Sequence, residues 1–241
     1  MKQVLPYSGS LATKSEQVGK MFDDISPSYD FLNHTLSFGI DKLWRKKVVK
    51  LVKATHPDTI LDIATGTADL AIALAKTNAR QITGVDISEG MLKIGREKIY
   101  ANGFQNKIVL EQGNSEFLRF ADNSFDAATV SFGVRNFENI NKGLNETYRV
   151  LKPGGTLTIL EFSHPESFPM KQLYHIYFTI ICPALGRIVS KNPRAYSYLH
   201  ESVAAFPSGQ DFINLLTETG FNNTSWKVLT LGISTIYSAI K

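Results

Sequence analysis

Four groups of small and polar residues each follow a short apolar segment of the chain. The first group, residues 64–69, contains Gly66 and Thr67, and the second is the carboxylate of Asp86, 20 residues after Gly66. Small residues let a backbone turn sharply and come close to a ligand, and glycine also adopts positive φ. A carboxylate placed like Asp86 can accept hydrogen bonds from both hydroxyls of a ribose. These groups predict a nucleoside site, although a plain turn followed by a helix cap would also account for them.

The third and fourth groups could complete such a site. In residues 113–116, the amide of Asn114 and the backbone N–H groups around Ser115 can bind the edge of an adenine base, or can form an ordinary turn. The fourth group begins at Ser131 and contains Arg135. An arginine at a buried strand end is costly without a partner, so we expect Arg135 to lie beside the reacting atoms.

The spacing and charge of the first group favour one kind of cofactor over another. A nicotinamide dinucleotide site has a Gly-x-Gly-x-x-Gly fingerprint that places the pyrophosphate at a helix N-terminus. Here Gly66 is followed by Thr67 and Ala68, so the spacing fails, and the negative charge of Asp69 would oppose a phosphate. A positively charged sulfonium and an amino-acid head group suit this loop better, which favours S-adenosylmethionine.

Apolar segments that alternate with helical segments must position these groups. Strands are predicted at residues 59–63, 81–86, 108–112, 125–132 and 156–162, with a close pair at 225–231 and 234–240. The continuous apolar character of the first five is typical of parallel strands buried on both faces, and the intervening helices predict a doubly wound α/β sheet. The last pair, separated by Gly232, resembles an antiparallel hairpin. In such a sheet, ligands bind at the carboxyl ends of the strands, where all four groups lie.

Two segments lie outside this alternation, within what is predicted to be one domain over residues 1–241. Residues 1–17 are polar and are expected to be poorly ordered. Residues 18–55 are predicted to form a helical cap with a break at Ser26–Pro27, because proline disfavours helix in the residue before it. Residues 163–209 interrupt the alternation as a lid or insertion.

The cap contains a cluster of basic residues interleaved with apolar residues at helical spacing. The cluster comprises Lys42, Arg45, Lys46, Lys47 and Lys50. We interpret it as the solvated face of a helix, with anionic lipid as an alternative partner. No nucleic-acid-binding motif accompanies it, so nucleic acid is not an expected partner.

Composition indicates a soluble globular protein of ordinary charge. Hydrophobic residues make up 43% and charged residues 20% of the 241 residues, and the net charge is +4. The single cysteine, Cys182, cannot form an internal disulfide, and without Cys/His metal spacing no metal is expected. No signal-peptide pattern is found, and the apolar run at residues 176–185 is too short to span a bilayer. These features predict a cytoplasmic protein whose membrane contact, if any, is confined to its surface.

Five stretches of the sequence closely resemble the UbiE/MenG/Coq5 family, the C-methyltransferases of ubiquinone and menaquinone biosynthesis. They are FDDISPSYDFLNHTLSFGIDKLWR, LDIATGTADLA, GVDISEGMLKIGREK, SFGVRNFENINKGLNETYRVLKPGG and LEFSHP. The resemblance implies a Rossmann-like class I fold that uses S-adenosylmethionine, with a seven-stranded, mostly parallel sheet and a terminal antiparallel hairpin. It implies cofactor contacts from Gly66, Thr67, Asp86, Asn114, Ser115 and Ser131. It implies a substrate that faces Arg135, Asn136 and Tyr29.

One departure from the family pattern lies in the glycine loop. The usual Gly-x-Gly-x-Gly of methyltransferases is Ala64-x-Gly66-x-Ala68 here. Alanine adds only a methyl group and forbids little unless positive φ is needed, so we expect cofactor binding to survive.

The reaction implied by the resemblance moves a methyl group from a sulfonium to a ring carbon of a reduced quinone, which is a diphenol. Arg135 stays protonated, so it would stabilise the phenolate or position a water that takes the proton. Asn136 would orient a ring oxygen, and Tyr29 would line the ring pocket unless it is a core aromatic. His34 and His164 are candidate bases by chemistry alone and rank below these residues.

The predicted activity is the conversion of demethylmenaquinol to menaquinol, with a polyprenylated quinol as substrate. Alternatives are C-methylation of a methoxy-polyprenyl benzoquinol, methylation of another phenol or a sterol-like lipid, and a non-catalytic role in a quinone-biosynthesis complex. Residues 168–185 are expected to accept the polyprenyl tail or to touch the bilayer, with core packing and a homodimer surface as alternatives.

Overall fold

A computed structural model describes residues 4–7, 9–165, 167–176 and 194–241. The strands are β1 (Thr59–Ile63), β2 (Gln81–Asp86), β3 (Ile108–Gln112), β4 (Phe125–Ser131), β5 (Leu151–Phe162), β6 (Asn222–Leu229) and β7 (Ser234–Ile240). The α-helices of the described residues are α1 (Lys14–Leu36), α2 (Ile40–Ala54), α3 (Asp69–Leu74), α4 (Glu89–Ala101), α5 (Ile140–Val150), α6 (Met170–Ile176), α7 (Arg194–Ala205) and α8 (Gln210–Thr219). None of these helices is both long and apolar enough to cross a bilayer.

The strands form one seven-stranded sheet in the order β3-β2-β1-β4-β5-β7-β6. All neighbouring strands are parallel except β7, which runs antiparallel to both β5 and β6. The chain order reverses between β1 and β4, and a doubly wound sheet binds its ligands at the carboxyl ends of the strands beside such a reversal. The predicted fold class, including the terminal antiparallel pair, is confirmed.

The parallel strands are apolar because helices cover both faces of the sheet. In β1, Ile60, Leu61 and Ile63 are all fully buried, with Ile60 in one core cluster and the other two in the cluster on the opposite face. A strand buried on both faces can bury every side chain, which is why these segments show no alternation of polar and apolar residues.

The fifth strand begins earlier than predicted and ends where predicted. β5 begins at Leu151, so residues 152–155 belong to the strand rather than to a turn before it. The pairing of β4 with β5 shifts register after Phe125, and Gly154 adopts φ +77°. The Gly154 N–H then donates to the Lys241 carbonyl at 2.9 Å, which keeps the irregular segment hydrogen-bonded to the end of the chain.

Helix α1 begins earlier than predicted, so the expectation that residues 1–17 are poorly ordered is wrong from Lys14 onward. Thr13 and Glu16 form a capping box: the Glu16 N–H donates to Thr13 Oγ1 at 3.2 Å and the Thr13 N–H donates to Glu16 Oε2 at 2.8 Å. A capping box satisfies backbone donors at a helix start that otherwise lack partners.

The predicted break at Ser26–Pro27 does not occur, and α1 runs through the proline. Proline has no N–H, so the carbonyl four residues earlier, that of Asp23, loses its helical partner. The Ser26 hydroxyl donates to this carbonyl at 3.0 Å. The residue before the proline therefore supplies the missing hydrogen bond, and the helix continues.

Helix α1 lies across the start of α4 and is fixed there by polar contacts. Asp23 Oδ1 accepts hydrogen bonds from the Ser88 hydroxyl at 2.6 Å and from the Gly90 N–H at 2.9 Å. Further along, Asp30 pairs with Lys98 at 2.7 Å. These contacts bring the N-terminal helix over the carboxyl ends of the strands.

The basic cluster of α2 is solvated, as predicted, at its four lysines but not at its arginine. Trp44, Val48 and Val52 bury one face of the helix, and the lysines lie on the other. Arg45 is only 9% exposed and packs inward beside Asp41. The prediction of a fully solvated face is therefore wrong at Arg45, because a buried carboxylate one turn earlier pairs with it.

Candidate functional site

A cavity of about 660 Å³ lies at the carboxyl ends of β1 to β4, under α1. We call it the strand-end cavity. Its polar lining comes from Ser15, Gly66, Asp86, Asn114, Ser115, Glu116, Ser131 and Asn136, and its apolar lining includes Val18, Phe22, Tyr29, Val85, Ile87, Met91, Phe132 and Phe137. All four predicted groups therefore contribute to one cavity, at the position where a doubly wound sheet binds ligands.

Asp86 is the carboxylate of the strand-end cavity, at the end of β2. Its Oδ2 accepts the Gly66 N–H at 2.8 Å and its Oδ1 accepts the Ser88 N–H at 2.9 Å. Burial raises the pKa of Asp86 to about 6, against the opposing effect of these backbone hydrogen bonds. Above that pH the carboxylate is ionised and suits hydroxyl donors or a positively charged ligand.

Two polar atoms at this cavity have no hydrogen-bond partner among the described residues. The Ser131 hydroxyl and the Asn136 Oδ1 are both buried and unpaired, while the Asn136 amide nitrogen donates to the Phe132 carbonyl at 3.4 Å. Buried polar groups without partners are rare in folded proteins, because each costs desolvation free energy. Both atoms border a cavity, and a polar ligand there would satisfy them.

The predicted adenine-binding group after β3 is positioned by its own turn and by α1. Asn114 Oδ1 accepts the Glu116 N–H at 2.9 Å, and Asn114 Nδ2 lies 3.5 Å from the Ser15 hydroxyl. Ser115 also lines the cavity. The Glu116 carboxylate accepts the Asn139 N–H at 2.8 Å, so it too is fixed in place.

Thr67 and Asp69 do not line the strand-end cavity. The Thr67 hydroxyl donates to Asp30 at 2.6 Å and accepts from Lys98, and Asp69 pairs with Lys98 and Arg45. The expectation that the charge of Asp69 selects the cofactor is therefore wrong, since cations compensate that charge away from the cavity. The carboxylates that face the cavity are those of Asp86 and Glu116.

The glycine loop is built with alanines in a conformation that favours glycine. Ala64, Gly66 and Ala68 have φ of +53°, +56° and +64°. Left-handed φ costs a non-glycine residue about 1–2 kcal/mol, so the two alanines are strained. A Cβ on Gly133 would lie 2.5 Å from the Ala64 Cβ, which shows how closely the loops after β1 and β4 approach each other.

A second cavity of about 750 Å³ lies beside the first, between α1, α2 and α7. We call it the helical cavity. Its lining comprises Met21, Phe22, Ile25, Tyr29, Asn33, Ser37, Asp41, Arg45, Phe132, Arg135, Phe162, Ala195, Tyr198 and Leu199. Phe22, Tyr29 and Phe132 line both cavities, so these aromatic side chains stand at the boundary between them.

Arg135 lines the helical cavity and is held by a buried carboxylate that the sequence analysis did not identify. Its NH1 pairs with Glu161 Oε1 at 2.7 Å and also donates to the Phe132 carbonyl, while its buried Nε has no partner in the described part of the chain. Glu161 is fully buried and additionally accepts the Phe162 N–H at 2.9 Å. The sequence signal for this partner is that Glu161 is a charged residue between apolar neighbours, in the stretch LEF.

The aromatic wall of the helical cavity contains a strained residue. Phe132 has φ +59°, and its ring stacks on Phe162 at 4.3 Å between centroids with 26° between planes. The Arg135 guanidinium lies 5.4 Å from the centre of the Phe162 ring. Strained conformations persist where the surroundings enforce them, often at functional sites. An aromatic ring that bears oxygens fits this wall, because the face of the ring can pack on the flat apolar surface while its oxygens interact with the cation.

Tyr29 and Lys14, both on α1, connect the cap to this region. Burial raises the pKa of the Tyr29 phenol, opposed by a hydrogen bond from Asn33 and by the charges of Arg135 and Arg45. Lys14 Nζ donates to the carbonyls of Arg135 at 3.1 Å and Phe137 at 2.7 Å, and burial lowers its pKa to about 8. Lys14 and Ser15 were missed because their segment was expected to be poorly ordered.

Neither candidate histidine lines either cavity. His34 Nδ1 lies 2.9 Å from Asp41 Oδ2, and burial lowers the pKa of His164, which packs against Tyr174. In the described part of the chain, His34, Asp41 and Asp69 bring ligand atoms close enough for a metal ion. Arg45 pairs with both of these carboxylates, so the group forms an ion-pair network.

The residues of the strand-end cavity fit S-adenosylmethionine. Asp86 suits the ribose hydroxyls, the group at Asn114 and Ser115 suits the adenine edge, and unpaired Ser131 Oγ lies at the strand end nearest the helical cavity. Two carboxylates, with no lysine or arginine among the described residues that line it, leave the cavity suited to a cation rather than to a pyrophosphate.

Comparison with known proteins agrees with this geometry. A demethylmenaquinone methyltransferase of Bacteroides fragilis is 49% identical over 241 residues, which cover 100% of this chain and 98% of that protein. The ubiquinone/menaquinone biosynthesis C-methyltransferase UbiE of Geotalea daltonii is 45% identical over 233 residues, which cover 96% of this chain and 99% of that protein.

Solved structures support the fold at lower identity. A SAM-dependent methyltransferase from Aquifex aeolicus matches with a TM-score of 0.58 and 19% identity, over 81% of this chain and 88% of that one. The [4+2]-cyclase SpnF matches with a TM-score of 0.64 and 20% identity, over 97% and 99% of the two chains. The fold alone therefore does not specify the reaction. The model of the ubiE/COQ5 methyltransferase family matches residues 10–241, and the chain belongs to this family.

Proposed function

We propose that this protein is an S-adenosylmethionine-dependent C-methyltransferase that converts demethylmenaquinol to menaquinol. The observation that supports it is the meeting of two cavities at Phe22, Tyr29 and Phe132. One cavity suits the cofactor, and the other is aromatic, apolar and provided with guanidinium groups. A methyl donor and an electron-rich ring held on either side of that boundary would meet in line, which lowers the barrier by positioning.

The protein's own residues would bind the ring, favour its phenolate form and exclude water. S-adenosylmethionine supplies the methyl group as an electrophile. Arg135, fixed by Glu161, would stabilise negative charge on the ring oxygen next to the target carbon, and its protonated guanidinium makes it a poor base. Asn136, which lines the strand-end cavity rather than the helical cavity, would accept at its Oδ1 a hydrogen bond from a ring hydroxyl that reaches the boundary between the two cavities. Tyr29 and Phe132 would hold the ring plane against the donor.

We propose the naphthoquinol ring, ahead of the benzoquinol ring, as the substrate. The relatives named demethylmenaquinone methyltransferase from Bacteroides fragilis and Porphyromonas gingivalis are 49% and 43% identical to this chain over its full length. Relatives whose names include both ubiquinone and menaquinone biosynthesis reach 45%. C-methylation of the methoxy-polyprenyl benzoquinol is therefore the second candidate.

The polyprenyl tail would leave the helical cavity past the 163–209 segment. Ala195, Tyr198 and Leu199 of α7 line that cavity, while Phe168, Leu173 and Ile176 around α6 are exposed. The second half of the predicted tail-binding stretch, residues 177–185, lies outside the described residues, and Cys182 with it. We propose that the exposed apolar residues of α6 contact the tail or the membrane surface, with contact between two copies of the chain as the alternative.

A labelling experiment separates the candidate functions. The purified protein is incubated with methyl-labelled S-adenosylmethionine and either demethylmenaquinol or the demethylated benzoquinol, both kept reduced with dithionite. Label in the naphthoquinol at the higher kcat/KM supports the proposal, and preference for the benzoquinol supports the second candidate. Cofactor binding by calorimetry without label in either quinol would instead support a non-catalytic role.

A further inference from the structure

A second guanidinium, that of Arg45, lines the helical cavity although its neighbours on α2 are solvated lysines. The Arg45 side chain is 11% exposed. It reaches the cavity from α2, whereas Arg135 reaches it from the turn after β4. Two cations from different elements therefore border one mainly apolar space.

Arg45 is held in one orientation by two carboxylates. Its NH1 pairs with Asp41 Oδ2, and its NH2 lies 3.4 Å from Asp69 Oδ2. A planar guanidinium that is anchored at two nitrogens has a fixed orientation, so its remaining N–H donors are already oriented before a ligand binds. Such an arrangement binds an oxygen with less loss of side-chain entropy than a free lysine would.

Both anchoring carboxylates are themselves fixed. Asp41 Oδ1 accepts the Ser37 hydroxyl at 2.6 Å, and His34 Nδ1 lies 2.9 Å from Asp41 Oδ2. Asp69 is paired with Lys98. The interactions of Asp41 with Ser37 and Arg45 outweigh its burial and lower its pKa, so it stays ionised at neutral pH and keeps Arg45 in place.

Tyr29 shows that the two guanidiniums act on the same part of the cavity. The charges of Arg135 and Arg45 both act on its phenol, and Tyr29 lines both cavities. A ring bound beside Tyr29 would therefore lie in the field of both cations.

We propose that Arg45 binds the second ring oxygen of the quinol, the one para to the oxygen at Arg135. The proposal rests on the proposed function, since a quinol carries its two oxygens on opposite edges of the ring. One guanidinium at each oxygen would orient the ring and favour its phenolate form. Arg45 exchanges no atom with the substrate; the hydroxyl proton passes to water, and Arg45 only donates hydrogen bonds.

The test compares two substrates in three proteins. The substrates are a short-tailed demethylmenaquinol and its monomethyl ether at the hydroxyl distant from the methylated carbon. The proteins are the wild type, Arg45→Gln, and the matched control Lys46→Gln, whose residue is exposed on the same helix. Binding of S-adenosylhomocysteine, measured by calorimetry, reports folding of each protein and should stay within about twofold, because Arg45 does not line the strand-end cavity.

We expect the wild type and Lys46→Gln to prefer the quinol over its ether by about tenfold or more in kcat/KM, because the ether methyl group crowds the Arg45 donors away from that oxygen and so removes a charge-assisted hydrogen bond. Arg45→Gln should reduce that preference to about twofold, mostly by slowing the quinol. An equal loss on both substrates, with the preference kept, would overturn the proposal and leave Arg45 as a structural ion-pair member.

A variant that keeps the charge covers the case in which Arg45→Gln does not fold. Arg45→Lys retains a cation between Asp41 and Asp69 but loses the planar fork. Its preference for the quinol should fall between those of the wild type and of a protein without the contact, and an unchanged preference would contradict the proposal. A wild type that methylates neither substrate would instead refute the proposed function itself.

Discussion

The strand-end cavity and the helical cavity share three aromatic residues but are assembled in different ways. The strand-end cavity is formed mainly by loops that directly follow β1 to β4, so parallel pairing of adjacent strands brings its residues together. The helical cavity is formed by side chains from α1, α2, α7 and the ends of β4 and β5, which are far apart in sequence. The positions of these side chains depend on how the helices dock, which no local sequence pattern specifies.

The charged side chains of the two cavities also differ in the groups that hold them in place. In the strand-end cavity, Asp86 is held by backbone N–H groups of neighbouring loops. In the helical cavity, Arg135 is held by Glu161 on β5, and Arg45 is held by Asp69 at the start of α3 as well as by Asp41 on its own helix. We therefore expect substitutions to separate cofactor binding from ring chemistry, and the following predictions test that separation.

The largest effect is expected at Arg135. Arg135→Gln should lower kcat about 10²- to 10³-fold, as loss of one oxyanion-stabilising group does. The dissociation constant of S-adenosylhomocysteine should stay within about twofold, because Arg135 does not line the strand-end cavity. Turnover and calorimetry check the two parts separately.

The control for Arg135 addresses the buried partner charge. Removing Arg135 leaves Glu161 buried without its cation, which is destabilising. The double variant Arg135→Gln/Glu161→Gln removes both charges and should regain stability without regaining turnover. Recovery of turnover in the double variant would show that Arg135 acts only by keeping Glu161 paired.

Asp86→Asn should weaken cofactor binding about 10- to 100-fold, because hydrogen bonds to a charged acceptor are stronger than those to an amide. The KM for the quinol at saturating cofactor should change little, since Asp86 does not line the helical cavity. Calorimetry and steady-state kinetics measure the two constants. Glu111→Gln, an exposed carboxylate on neighbouring β3, is the matched control and should leave both unchanged.

Gly133→Ala tests whether the two cavities depend on one close contact. The new Cβ would lie 2.5 Å from the Ala64 Cβ, so the loops after β1 and β4 must separate. Overpacking of this kind costs about 1–3 kcal/mol of unfolding free energy, and both cofactor and quinol binding should weaken.

A second substitution provides the control for this contact. Ala64→Gly removes the colliding methyl group and also relieves the φ of +53°. The double variant Ala64→Gly/Gly133→Ala should recover at least about 1 kcal/mol relative to additivity, measured by denaturant unfolding. Additive effects would show that the collision is relieved elsewhere.

Cofactor affinity should depend on pH because the pKa of Asp86 is raised to about 6. The free protein holds a proton on Asp86 below that pH, and the protonated carboxyl accepts hydrogen bonds poorly. The dissociation constant should therefore rise about tenfold for each unit that the pH falls below 6, and should be flat above it. The profile of Asp86→Asn should lack this step; the same step in Asp86→Asn would assign it to another group.

The same carboxyl should make the ligand-free protein less stable as the pH rises from about 4 to 6. Its folded-state pKa lies above the value of 3.8 expected for an exposed aspartate, so the folded protein binds the proton more tightly in that range. Buried Asp62, whose pKa burial also raises to about 6, contributes in the same direction. Unfolding of Asp86→Asn over this range should show a smaller decrease.

The smallest effect is expected at Ser26, which lets α1 continue over both cavities. Ser26→Ala leaves the Asp23 carbonyl without the donor that Pro27 cannot provide, and should cost about 0.5–1.5 kcal/mol. Ser28→Ala is the control: Ser28 donates to the Ile25 carbonyl, whose helical partner Tyr29 retains its N–H. Equal losses in thermal unfolding would contradict this account of the helix.

Sequence patterns predicted the strand-end cavity well because its residues sit at fixed offsets from apolar strands. Asp86 and Ser131 are the last residues of their strands, Gly66 and Asn114 lie in loops that follow a strand, and the sheet brings strand ends together. Thr67 belongs to the same loop but points to Asp30 and Lys98 instead. Offset from a strand therefore predicts the position of a loop, but not the direction of every side chain in it.

The cap was predicted less well because its order depends on contacts with distant residues. Lys14 is fixed by carbonyls of the turn after β4, and α1 by Asp23 at the start of α4. Arg45 was assigned to the solvated face because it lies among lysines, and only the folded arrangement of Asp41 and Asp69 shows why it is buried.

By itself, the sequence determined the sheet, its connections and the loops that form the strand-end cavity, because apolar strands and the turns after them are local features with few alternatives. The tertiary structure decided the pairing of Arg135 with Glu161, the burial of Arg45 and the continuation of α1 through Pro27. These features depend on electrostatic and hydrogen-bond partners, most of them distant in sequence. Their free energies are set by distance and burial, which exist only once the chain is folded.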